Sequence, residues 1–169
     1  MNDVFGAYWQ NFVDLKVAQE YYFLYVHHSK RRSDLINGFC MVMSLTGVVT
    51  LVNNYLPELA ASLIVLIAQV ISILQPLYPF GNRLYASSRI YKGISELTVK
   101  AECTINEYLY GSHCTEETLS SSLNELQTEF PSIEKRFADS ELFPRNKRLH
   151  KKAEQNAMTY IQSHFQRGD

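Results

Sequence analysis

Charge is what the middle of this sequence lacks. Between Leu35 and Asn82 the only charged residue is Glu58, although charged residues make up 20% of the chain. That gap excludes ordinary amphipathic surface helices there, because such helices carry charge on their outer face. Glycine and proline are also scarce, at 7 and 5 residues, which argues against disorder and against a turn-rich β protein. Cysteine is present three times (Cys40, Cys103, Cys114) without a CxxC pair. This excludes a disulfide framework and a zinc site by spacing, and leaves free thiols of a reducing compartment as the expectation. The net charge of -1 gives no global basic character, so no nucleic-acid partner is expected. The opening MNDVFGAYWQNFVDLK is acidic and aromatic, so no cleavable signal is expected.

What fills the uncharged stretch is two apolar runs separated by NNYLPE. Leu35 to Pro57 provides about 23 residues and Leu59 to Asn82 about 24, and a helix needs about 20 to cross a bilayer core. A buried hairpin of a soluble protein and a membrane hairpin both fit the apolar lengths; the absence of charge from every face favours the membrane, and the flanks give the orientation. Lys30, Arg31 and Arg32 precede the first run; Arg83, Arg89 and Lys92 follow the second; the turn has no Lys or Arg. The positive-inside rule then predicts a two-crossing membrane hairpin with both termini cytoplasmic and the NNYLPE turn outside. Small and polar residues gather on one stripe of each run: Asn37, Ser44 and Gly47 on the first, Ser62, Gln69, Ser72 and Gln75 on the second. Such a stripe suits close helix packing in lipid, and a ring of copies would let it line a pore.

Outside the runs, apolar residues recur with helical spacing. Phe5, Tyr8, Phe12, Leu15, Tyr22 and Val26 form one stripe over 5–28, with Asp14, Lys16 and Glu20 between them. Leu84, Tyr91, Ile94, Thr98, Ala101, Ile105 and Tyr108 form a second, ending at Gly111 as a C-cap. Thr115 to Phe130 opens with TEET, a capping pattern that admits Thr115 or Thr118, and reads as a short helix; Pro131 and Pro144 then bracket a segment expected to be helical only over Ser132 to Asp139. A last helix over about 146–166 carries Leu149, Ala153, Ala157, Tyr160 and Ile161. No stretch alternates as a strand would. The fold class expected is all-α, a two-helix transmembrane hairpin whose flanking cytoplasmic helices form a bundle. The divisions are 1–34 (amphipathic helix), 35–82 (hairpin), 83–111 (return helix) and 112–169 (helical tail).

Catalytic chemistry finds no foothold. There is no glycine-rich phosphate loop and no GxSxG around Ser120 to Ser122. Cys103, His113, Cys114, Glu116 and Glu117 lack a ligand spacing, and adjacent His27 and His28 point apart on a helix. A non-enzyme without cofactor or metal is expected. The sharpest charge feature is RNKRLHKK, with Arg145, Lys147, Arg148, Lys151 and Lys152. It reads as a solvated helix start, an anionic-lipid contact or a site for a phosphorylated ligand.

The tyrosine-rich QEYYFLYVHHSKRR, the two apolar runs and NRLYASSRIYKGISELTVKAECTINEYLYG together resemble the SLATT family over about Gln19 to Tyr110. These are bacterial two-transmembrane effectors associated with SMODS nucleotidyltransferases and SLOG sensors. The resemblance implies a homo-oligomeric, multi-pass effector of the bacterial inner membrane, acting in antiviral (anti-phage) defence by forming a pore or disrupting that membrane. Its implied partners are the lipid bilayer and a sensor or nucleotidyltransferase, or that enzyme's nucleotide product. A non-conducting, membrane-anchored helical adaptor is the alternative.

Overall fold

The computed structural model describes residues 3–43, 62–63, 66–67, 69–71, 73, 80–111, 115–137 and 146–165. Among these residues every regular element is helical and there is no strand. Four long helices are described: α1 (Asp3–Met43), α2 (Phe80–Tyr110), α3 (Glu116–Phe137) and α4 (Lys147–Phe165). The chain forms two compact units, one of Met1–Val26 with Arg83–Asp169 and the other of His27–Asn82.

The first unit is built on the apolar stripes. Tyr8, Phe12, Leu15 and Tyr22 of α1 are buried together with Ile90, Ile94, Leu97, Ala101 and Ile105 of α2. α3 adds Leu119 and Leu126, and α4 adds Ile161. Ala153 and Ala157 are fully buried, small side chains that let the α4 backbone approach its neighbours. Two polar residues on α2 are buried without penalty because each bonds within its own helix. Thr98 donates to the Ile94 carbonyl at 2.7 Å, and Ser87 to the Leu84 carbonyl at 3.0 Å. Aromatic rings close one end of the unit: Phe5 stacks on Tyr108 at 4.8 Å, and Phe165 meets Trp9 and Phe12 edge-on at 5.2 and 5.8 Å. α2 and α3 come close at Gly93, where an added Cβ would stand 3.2 Å from Ile133 Cγ2.

The ends of these helices follow their sequence signals. Gly111 donates its N–H to the Glu107 carbonyl at 2.9 Å, and a Cβ there would stand 2.6 Å from that same oxygen. Thr115 is the cap of α3, its Oγ1 accepting the Thr118 N–H at 3.3 Å. Asn146 caps α4, its Oδ1 accepting the N–H groups of Arg148 and Leu149 at 3.1 and 3.3 Å.

Three expectations are corrected. The helix read over 5–28 is longer, α1 running unbroken from Asp3 to Met43; the stretch contains no proline, and Lys and Arg are good helix formers. α3 continues through Pro131 to Phe137, and the Ser132 hydroxyl bonds back to the Glu129 carbonyl at 2.8 Å in that turn. The third concerns the membrane. Among the described residues no helix is long and apolar enough to cross a membrane. This overturns the multi-pass inner-membrane placement with cytoplasmic termini; of the hairpin expected over 35–82, residues 44–61, 64–65, 68, 72 and 74–79 lie outside the described residues. The physical reason lies in the charge pattern: only the last turns of α1 are uncharged, since Lys30, Arg31, Arg32 and Asp34 lie within it. The turn itself, NNYLPE, lies outside the described residues.

Candidate functional site

The chemistry within the first unit concentrates where α1, α2 and α4 meet. Lys16 is only 7% exposed, although its neighbours in sequence suggested a polar face. Its Nζ lies 3.6 Å from the centroid of the Tyr160 ring, a cation–π contact strengthened by desolvation. The Tyr160 hydroxyl donates to Glu102 Oε1 at 2.6 Å. His164 stacks on the same ring at 3.9 Å, and Asn156 donates to Glu20 Oε2 at 3.2 Å. Burial pushes the Lys16 amine below its ordinary pKa, while Glu102 and Glu20 oppose that shift. Burial, aided by the hydrogen bond and the charge of Glu102, raises the Tyr160 phenol to about 12. These groups are spent on one another. They fasten α4 to α1 and α2, with Tyr22 donating to Glu134 at 3.0 Å to fasten α3.

The second feature is apolar and belongs to His27–Asn82. Leu35, Phe39, Met41, Val42, Leu63, Leu66, Ile67, Val70 and Ile73 are all exposed, Leu35 at 74%.

The third is the outer side of α4. Lys147, Arg148, Lys151 and Lys152 are exposed; at 100° per residue Arg148, Lys151 and Lys152 fall opposite buried Ala153, Ala157 and Ile161, and Lys147 flanks that face. None makes an ion pair among the described residues, whereas the adjacent His150 pairs with Glu154 at 3.2 Å. Lys147 with Lys151 and Arg148 with Lys152 are like charges at i, i+4, each pair destabilising by roughly 0.2–0.5 kcal/mol. All four stand in the first two turns, where the helix dipole also opposes positive charge.

Of the small and polar stripe, Asn37, Ser62 and Gln69 are helical and exposed. Ser44, Gly47, Ser72 and Gln75 lie outside the described residues. Among the flanking cations, Lys30, Arg31 and Arg32 are exposed on α1. Arg89 donates to the Tyr85 hydroxyl at 2.6 Å, and Lys92 lies 4.0 Å from Glu96. Arg83 is half-buried. Arg145 lies outside the described residues, as do His113 and Cys114, and Cys103 is exposed. The Lys16–Tyr160–Glu102 cluster was not visible in the sequence, for its three members come from three helices. The one local signal was Lys16 beside Leu15, next to the apolar stripe.

The chain matches no family model, no curated protein and no solved structure.

Proposed function

We propose that this protein is a non-enzymatic, self-associating helical adaptor. In this reading the unit of Met1–Val26 and Arg83–Asp169 is a closed platform, and the exposed apolar side chains of His27–Asn82 join copies of the chain. The observation that carries it is the set Leu35, Phe39, Met41, Val42, Leu63, Leu66, Ile67, Val70 and Ile73, exposed on one unit. Burial of such surface contributes about 25 cal/mol per Å² of apolar area before the entropy of association is subtracted. A second copy is the proposed occupant, because the apolar side chains themselves carry no charge to repel their own kind, the exposed Lys30, Arg31 and Arg32 preceding them on α1. The self-assembly implied by the SLATT resemblance agrees with this reading. A pore depends on the crossing helices corrected above, so the adaptor alternative is retained without its membrane anchor. The non-enzymatic part is supported by the polar groups of the first unit, which bond to one another.

The experiment is co-purification of two differently tagged full-length chains expressed together. Capture of one through the tag of the other is expected, and Leu66→Arg with Val70→Arg is expected to abolish it. Undiminished capture in that variant would remove the apolar segment from the assembly.

A further inference from the structure

We propose that the outer face of α4 binds a compact, soluble polyphosphate through Lys147, Arg148, Lys151 and Lys152. The four cations are exposed and form no ion pair among the described residues. They occupy positions that disfavour the helix on two grounds, repulsion at i, i+4 and opposition to the helix dipole. A bound polyanion reverses both effects. The Asn146 side chain already caps the backbone N–H groups of Arg148 and Leu149, so the attraction comes from the side chains. Arg148 offers a planar fork for two phosphate oxygens, and the three lysines offer movable point charges.

The dimensions and charge indicate the class of ligand. From 147 to 152 the helix rises about 7.5 Å, enough for two or three linked phosphates. Four positive charges face the roughly four negative charges of a triphosphate at neutral pH. A bilayer surface fits less well, because an interfacial helix needs an apolar face beside its basic one. The apolar side of α4, Ala153, Ala157 and Ile161, is already buried. A nucleic-acid strand fits less well too, since the four-residue cluster brings no aromatic side chain on which bases would stack.

Calorimetric titration of the full chain with inorganic tripolyphosphate tests this. Binding is expected, with affinity falling at least about tenfold between about 50 and 300 mM salt as the charges are screened. Arg148→Glu with Lys151→Glu is expected to weaken it at least tenfold with the helical circular dichroism unchanged. The milder Lys152→Gln should weaken it several-fold, and the double change Lys147→Arg with Lys151→Arg should preserve it. No binding, or full affinity in Lys152→Gln and the charge-reversed chain, would overturn the proposal. So would adsorption to phosphatidylserine vesicles that tripolyphosphate does not displace, which would assign the face to lipid.

Discussion

Lys16 holds its ammonium 3.6 Å from the centre of the Tyr160 ring, whose hydroxyl donates at 2.6 Å to Glu102. A cation, a ring and a carboxylate from three helices form one chain of contacts, which joins the buried Ala153, Ala157 and Ile161 and the Phe165 ring in tying α4 to its unit. Because two of the three groups have displaced pKa values, the attachment is expected to depend on alkaline pH.

Tyr160 is the first test. Its folded pKa is raised to about 12 from 10.0, so the folded state holds the phenolic proton more tightly than the unfolded state. The resulting stability is fully present below pH 10 and lost as pH rises toward 12. An ultraviolet titration of the tyrosinates should therefore show a late step that Tyr160→Phe removes. Identical titration curves for the two proteins would remove Tyr160 from the alkaline transition.

Lys16 acts with the opposite sign. Its folded pKa is lowered, so a penalty on the protonated folded form is present at neutral pH. That penalty is relieved as pH rises through the lowered value toward 10.5. Lys16→Met keeps the buried stem and discards the charge, and should change stability by less than about 1.5 kcal/mol. Lys16→Ala also loses packing and should be destabilising by about 1–3 kcal/mol in urea unfolding. Equal effects from the two would mean that the charge, not the stem, is what matters.

Phe12 tests the core. It is 0% exposed and meets both Trp9 and Phe165, so Phe12→Ala should cost about 3–5 kcal/mol. Loss of less than about 1 kcal/mol in chemical denaturation would show that this end of the unit is not closed as described.

The helix caps give a smaller, local prediction. Thr115→Ala and Asn146→Ala should each lower stability by about 1 kcal/mol. Hydrogen exchange should show the loss at the first turns of α3 and α4, respectively. An unchanged exchange pattern would contradict the capping roles.

Much of this architecture could be read from spacing alone. Phe12 and Leu15 on α1, and Ile94, Ala101 and Ile105 on α2, stand buried on stripes that their helical spacing gives. The cap of α3 was legible to within two candidates, Thr115 and Thr118, because a cap acts within one turn; the cap at Asn146 was not read, only a helix beginning near it. Pro131 misled because proline removes one amide without forbidding a helix whose surroundings are fixed by packing. Lys16 misled more seriously: its burial depends on Tyr160 and Glu102, and no local pattern reveals a partner so far along the chain. The membrane expectation came from charge-free length together with the basic flanks, and neither says what covers apolar side chains such as Leu66 and Val70.

The central claim is self-association through His27–Asn82, and the mass of the particle tests it most directly. The full chain weighs 19.5 kDa. Light scattering, with and without mild detergent and with bound detergent subtracted, should give a whole-number multiple of that mass for the unaltered protein. The Leu66→Arg, Val70→Arg variant should give the single-chain mass with its helical signal intact. A single-chain mass for the unaltered protein in both media would contradict the account.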